Sequence, residues 1–288
     1  MNEHIFMSDS NLGAHVQFSG TIYESLYYGI QKGCYSIQIF LGNPISLKRC
    51  VINEKDIINT KKLLKRFPTN IFTHFPFIAN LSGTSKGSLA WESDEKINNI
   101  ILNCLNSIEY ELDIMSKIGC GVVIHPGSFP DRKKGLLAIS KSINKINFKN
   151  NYKLILENAA GQGNNLGTTF EELKYIYDNI DENKKEYIGF CIDTCHIFAY
   201  GQYDISKLNN MKRMFNEFEN IFGLKKLSLI HLNDSICSLG SKKDRHECLK
   251  NGLIWKENCE SLLYLIDFCK SNNIPIILET HVNDILKI

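Results

Sequence analysis

The stretch GFCIDTCHIFAYG, residues 189–201, sets two thiols, a carboxylate and an imidazole within six residues, so Cys191, Asp193, Cys195 and His196 are all candidate metal ligands. Polar residues close other short apolar runs in the same way: His74 in NIFTHF, His125 in GVVIHPG, Glu157 in KLILENA, His231 in LSLIHLND and Glu279 in IPIILET. Asp244 and His246 stand together in GSKKDRHE. One histidine or one acid at a strand end has an ordinary explanation, as a hydrogen-bonded surface group or the N-cap of the next helix. The joint pattern does not. Five imidazoles and four carboxylates cannot share one buried site without cations. This donor set suits Zn²⁺, with Mn²⁺ or Fe²⁺ as substitutes, and is too nitrogen-rich for a Mg²⁺ or Ca²⁺ cage. Nine ligands exceed one tetrahedral ion and fit two or three with a bridging carboxylate. Roughly three Zn²⁺ against four carboxylates and a hydroxide leave a charge of about +1, which favours a phosphodiester.

Something must hold these residues at one level. The runs at 13–17, 36–41, 70–75, 121–127, 153–159, 189–195, 227–234 and 274–280 are apolar on both parities, as strands buried on both faces are. Helix-like patterns alternate with them over 21–32, 54–67, 94–118, 134–146, 170–179, 207–222 and 256–271. That alternation predicts parallel βαβ units. Eight strands in 288 residues predict an α/β fold, a single (β/α)8 TIM barrel over 12–288 with residues 1–11 as an N-terminal extension. The chain runs only to Ile288 after the last strand, so the eighth helix is expected to be abbreviated. The strands' C-terminal ends form the rim where such barrels keep their chemistry, and the metal site is expected there.

Bulk composition excludes other classes. With 33 basic and 31 acidic residues the net charge is +2, so nucleic-acid binding would need a local patch. No apolar run reaches the ~18 residues of a membrane helix, and the N-terminus lacks the pattern of a secretory signal. The 10 cysteines show no framework spacing and read as reduced thiols of an intracellular protein. GAHVQFSGT carries no glycine-rich nucleotide loop.

LILENAAGQG, GFCIDTCHIFAYG, IHLNDS with GSKKDRHE, IHPGS and IILET strongly resemble the endonuclease IV family of apurinic/apyrimidinic endonucleases (family 2), and GAHVQFSG and FLGNP resemble its first two strand ends. The resemblance runs from about Leu12 to Thr280. It implies three zinc ions, with Mn²⁺ as a possible substitute. His74, His125 and Glu157 would hold the first ion; Glu157, Asp193, His231 and Glu279 the second; His196, Asp244 and His246 the third. It further implies a monomer acting in base excision repair on duplex DNA with a flipped abasic site. Hydroxide would attack the phosphorus 5′ to the lesion with catalytic Glu157 orienting it, leaving a 3′-hydroxyl and a 5′-deoxyribose phosphate. Removal of 3′-blocking groups would use the same metals. The alternative is a xylose-isomerase-like sugar isomerase or epimerase, whose sites generally carry fewer histidines.

Two positions depart from the family. Ile45 stands where a polar or basic residue, often Arg, usually enters the duplex, and Phe77 where Tyr is usual. Insertion at the lesion is therefore expected to be mainly apolar. His15, Asn43, Ile45, Phe77, Ile78 and Arg245 are the expected DNA contacts, and Lys48, Arg49, Lys242 and Lys243 are candidate phosphate ligands or ordinary loop charges in equal measure. His4 and His281 read as surface residues. Cys191 should lie roughly 7 Å below Asp193 on the same strand face, out of reach of the rim, and Cys195 reads as a small packed residue.

Overall fold

The computed structural model describes residues 11–83, 89, 99–148 and 152–283. Eight strands close a barrel: β1 (Leu12–His15), β2 (Ser36–Ile39), β3 (Asn70–His74), β4 (Gly121–Ile124), β5 (Lys153–Glu157), β6 (Ile188–Asp193), β7 (Leu227–His231) and β8 (Ile276–Leu278). Each pairs in parallel with the next, and β8 closes onto β1 through Leu12–Ile276 and Ala14–Leu278. The outer wall comprises α1 (Ile22–Gln31), α2 (Glu54–Arg66), α3 (Asn99–Ile118), α4 (Arg132–Ile143), α5 (Phe170–Asp178), α6 (Thr194–Tyr200), α7 (Leu208–Phe222) and α8 (Glu260–Ser271). Among the described residues no helix is long and apolar enough to cross a membrane.

The single (β/α)8 barrel is the expected one, but its strands are shorter than the apolar runs. The last residues of several runs leave the ladder at the rim, so His125 and Glu279 lie one residue past β4 and β8. Nothing in the sequence pattern marks α6 as a separate helix. Two ribbons also went unforeseen, Gly127–Ser128 with Asn165–Leu166 and Asp234–Ser235 with His246–Glu247. Asn11, expected in the extension, ties to the barrel: its side-chain amide donates to Cys269 O (3.0 Å) and Ile274 O (3.2 Å). Residues 1–10, with His4, the first turn expected of the third helix (94–98), and 284–288, most of the expected abbreviated end, lie outside the described residues.

Strand alternation explains how the rim is supplied. Phe72, Val123, Ile155, Cys191, Leu229 and Ile277 form a separate buried cluster inside the barrel. Two residues further along each of these strands come His74, His125, Glu157, Asp193, His231 and Glu279. Side chains at i and i+2 share a face and are roughly 7 Å apart along the strand. One apolar layer therefore forms the floor for six candidate ligands, and Cys191 belongs to that floor.

Closure constrains β1. A Cβ on Gly13 would fall 1.6 Å from the carbonyl oxygen of Ser36, an overlap that only separation of β1 from β2 could relieve. Gly13→Ala is expected to lower stability by about 3 kcal/mol, at the upper end for overpacking, read as a lower urea midpoint; an unchanged midpoint would show that the two strands can part without loss.

Candidate metal centre

All nine rim residues converge. Glu157, at the end of β5, is the hub: Oε2 lies 3.1 Å from His74 Nε2 and 3.7 Å from His125 Nε2, and Oε1 lies 3.1 Å from His231 Nδ1 and 3.4 Å from His196 Nδ1. The groups able to hold a metal ion include His74–His125–Glu157 and Glu157–Asp193–His231–Glu279, the two sets the resemblance implies for the first and second ions. For the third, Asp244 Oδ2 lies 3.1 Å from His196 Nε2 and Asp244 Oδ1 3.1 Å from His246 Nε2. Asp193 also groups with His196 and His246, so it stands between the second and third sets.

Local structure aims these side chains. Asp193 is the N-cap of α6 and accepts from His196 N at 2.8 Å, so a helix turn, not a loose turn, carries His196 beside the end of β6. The ribbon pairing Ser235 with His246 returns the loop after β7 to the rim. Asp234 anchors that loop by accepting from the amides of Ser235 (2.8 Å), Ile254 (2.9 Å) and Lys250 (3.1 Å).

The hydrogen bonds behind the ligands fix their tautomers. His74 Nδ1 is 2.8 Å from Phe75 O, His196 Nδ1 is 2.8 Å from Asn158 O, and His231 Nε2 is 2.9 Å from Gln38 Oε1. Each of those ring nitrogens faces a carbonyl and must donate. The Gln38 amide is oriented by its own donation to Glu279 Oε1 at 2.9 Å. In a neutral ring the opposite nitrogen then bears a lone pair. It points at a carboxylate oxygen 3.1 Å away in all three cases: His74 and His231 at Glu157, His196 at Asp244. Two lone pairs at that distance repel, and a shared cation, proton or metal, is what reconciles them. His196 Nε2 and His246 Nε2 are buried without a hydrogen-bond partner. The residues fit a metal centre on these grounds.

Gln38, Asn158 and Asn233 are the site residues missed in the sequence. Asn233 Nδ2 donates to Asp193 Oδ2 (2.6 Å) and Glu279 Oε2 (3.0 Å), and Asn158 Oδ1 accepts from Asp193 N (2.7 Å). Gln38 is fully buried, but its place in the apolar run SIQIF does not announce that. Phe40 was also missed: its ring packs among His15 (4.5 Å), His74 (5.3 Å) and Phe77 (5.3 Å).

Three of the expected DNA contacts, His15, Phe77 and Arg245, line a cavity of about 400 Å³ together with Phe40 and seven of the nine candidate ligands; Asn43, Ile45 and Ile78 do not line it. His15 Nδ1 accepts from Gln38 Nε2 at 3.1 Å, and burial holds the ring neutral, its pKa lowered to about 4. Ile45, Phe77 and Ile78 are exposed apolar side chains, and Asn43 accepts from Ile45 N at 2.9 Å. Lys48, Lys242, Lys243 and Arg245 are exposed. Arg49 is not available to phosphate: its side chain is 3 % exposed and paired to the buried Glu111. His281 is exposed, as expected. Burial pushes the Cys191 thiol up to about 12 and the Cys195 thiol up as well. Cys195 approaches Asp244 and His246 but remains a packed thiol.

A closed parallel barrel with a nitrogen-rich set of donors on its C-terminal rim defines a TIM barrel whose rim could hold metal ions, and comparison with known proteins agrees on the barrel. A family model described as xylose isomerase-like TIM barrel matches residues 31–287. A "Probable endonuclease 4" of Cenarchaeum symbiosum is 33% identical over 279 residues, 95% of this chain and 94% of the relative. An "Apurinic-apyrimidinic endonuclease" of Caenorhabditis elegans is 34% identical over 281 residues, 95% of this chain and 66% of the relative. The chain belongs to the endonuclease IV family. The crystal structure of endonuclease IV from Thermus thermophilus shares the fold, with TM-score 0.76 at 23% identity over 94% of this chain and 92% of that one.

Stripped of metal, the site must hold its carboxylates together with protons. Burial lowers the pKa of His246, but Asp193, Asp244 and Glu279 outweigh it and raise it to about 9. Burial is likewise outweighed at His196, by Asp193 and Asp244, and at His231, by Cys191, Glu279 and Glu157, and both are held well above the ordinary range. A histidine with a raised folded-state pKa contributes stability below its unfolded pKa of about 6.5 and loses it as pH rises through the folded value. The metal-free protein is therefore expected to melt progressively lower from about pH 6.5 to about 9, while affinity for a divalent metal such as zinc should rise over the same window because loading displaces those protons. Calorimetry and competitive zinc titration measure the two; affinity independent of pH would count against protonated ligands.

Proposed function

We propose that this protein is a zinc-dependent endonuclease, acting as a monomer in base excision repair, that hydrolyses the phosphodiester bond 5′ to abasic sites in duplex DNA. The observation that carries this reading is Glu157, buried, with each carboxylate oxygen turned to a different pair of imidazoles. His74, His125 and Glu157 would hold one ion, Glu157, Asp193, His231 and Glu279 a second, and His196, Asp244 and His246 a third. Bound there, zinc supplies Lewis-acid activation of water and neutralisation of phosphate charge. Glu157 orients the attacking water in line with the phosphorus, giving a 3′-hydroxyl and a 5′-deoxyribose phosphate; 3′-blocking groups would be removed by the same residues. Gln38 and Asn233 keep the ligands in the tautomers and orientations the reaction needs.

The rim supports a DNA substrate. Ile45, Phe77 and Ile78 are 69%, 55% and 51% exposed, Phe77 lines the cavity, and its amide donates to Pro44 O beside Ile45, so these apolar groups are available for a base-pair stack to cover once a nucleotide leaves it. Lys48, Lys242, Lys243 and Arg245 stand on the surrounding loops, where phosphates would pass, with His15 and Asn43 as nearer contacts. A sugar-isomerase reading draws only on the fold: a D-tagatose 3-epimerase-like protein has TM-score 0.66 at 17% identity. Five histidines in the donor set and the Asp244-Arg245-His246 run favour the nuclease.

Incision of a duplex with one abasic analogue should require zinc and stop with a strong chelator; cleavage 3′ to the lesion by β-elimination would sink the hydrolytic reading. Glu157→Gln should retain DNA binding and lose incision by about a thousandfold, with single-turnover kinetics as the readout. Ile45→Ala should weaken binding of the abasic duplex by about tenfold, as expected for losing a buried aliphatic side chain; unaltered affinity would count against apolar insertion.

A further inference from the structure

Arg49 turns away from the DNA face. Its Nη1 meets Glu111 Oε1 at 3.2 Å inside the protein, and the Glu111 side chain is fully buried. Three further donors go to one loop: Nε donates to Leu47 O at 3.2 Å, and Nη2 donates to Asn43 O at 3.1 Å and to Ser46 O. One guanidinium thus gathers three carbonyls of the loop between β2 and α2, and Ile45 projects outward from the turn they enclose. The same loop is docked on α3 by two more residues. Ser107 Oγ donates to Leu47 O (3.1 Å), while the Tyr110 hydroxyl donates to Cys50 O (2.9 Å) and accepts from Ile52 N (2.9 Å). Ser107, Tyr110 and Glu111 occupy i, i+3 and i+4, one face of the helix. Across the loop, Phe77 N donates to Pro44 O at 2.9 Å, joining the segments that carry Ile45 and Phe77.

We propose that Arg49 is a positioning residue: anchored by Glu111, it pre-forms the loop that presents Ile45 as a fixed apolar wedge at the lesion, and it makes no phosphate contact. The inference rests on the proposed incision of abasic DNA. Its physical basis is preorganisation. An inserted arginine can find its partners by hydrogen bonds after entering the duplex, but an isoleucine has no directional contacts, so the backbone behind it must do the aiming. Ordering the loop during folding removes that cost from binding. Burial pushes the Glu111 carboxyl up to about 7, against Thr73 and Arg49, which pull it down. The pocket thus accommodates an uncharged group, and Glu111→Gln is expected to fold.

The test is a double-mutant cycle on zinc-loaded protein, with a duplex carrying one tetrahydrofuran abasic analogue as substrate. Arg49→Met should raise KM by about tenfold with kcat and zinc content little changed, as expected for loss of positioning remote from the chemistry. In the Ile45→Ala background the same substitution should have almost no further effect, because the residue it positions is gone. Glu111→Gln should weaken binding in the same direction as Arg49→Met. A phosphate contact gives the opposite pattern: additive losses, a salt slope reduced by about one, and tighter binding when the Glu111 charge is removed. Any of these overturns the inference. A wild-type chain that does not incise the duplex overturns the activity and the inference together, whereas incision with an inert Ile45→Ala overturns only the wedge.

Discussion

The centre depends on the two-residue repeat of a β-strand. Because alternate side chains share a face, a barrel strand that ends apolar-any-polar places its polar residue one pleat above the apolar one. Six strands of this chain end so, and the floor of Phe72, Val123, Ile155, Cys191, Leu229 and Ile277 raises six donors to a common height. A shift of one residue in any strand would turn floor and ligand alike to the opposite face, toward the helices, and bury a polar group in the apolar layer there. The closure that makes this registry possible is tight enough at β1 to demand glycine at position 13.

Above the floor, neutral amides set the electrostatics. Gln38, Asn158 and Asn233 bring no charge, yet each binds a ligand or its backbone and fixes how a ring or carboxylate is presented. Gln38, with the backbone carbonyls of Phe75 and Asn158, makes the unprotonated nitrogens of His231, His74 and His196 face carboxylates that would otherwise repel them. The arrangement is unfavourable for the polypeptide alone and favourable with divalent cations, and that difference becomes metal affinity. Local frustration in the fold is the counterpart of a site that is preorganised before the ions arrive.

Much of this was legible in the sequence. A histidine or acid that stops an apolar strand is conspicuous, and for His74, Glu157, Asp193 and His231 the structure ends the strand at that residue. The amides were not legible, since Gln38 sits in an apolar run and nothing local distinguishes a buried glutamine from an edge one. Nor was α6, because Asp193 serves both as strand end and as helix N-cap, two roles that one residue's type cannot separate. Arg49, which the sequence left open between a phosphate ligand and an ordinary loop charge, is neither. Its direction is set by Glu111, 62 residues further on, and nothing in the loop's own composition reports that partner.

The ligands are unequally sheltered. Glu157, Asp193, His196 and His231 are at most 2 % exposed, whereas the side chains of His246 and Asp244 are 24% and 41% exposed. His125 of the first set is 24 % exposed as well, so solvent reaches both flanking sets directly, while Asp193 and His231 between them are fully enclosed. Exchange with the surroundings should be uneven, slowest for any ion held between Asp193 and His231. A response to scarce metal would then be graded, partly loaded forms standing between the full and the empty barrel.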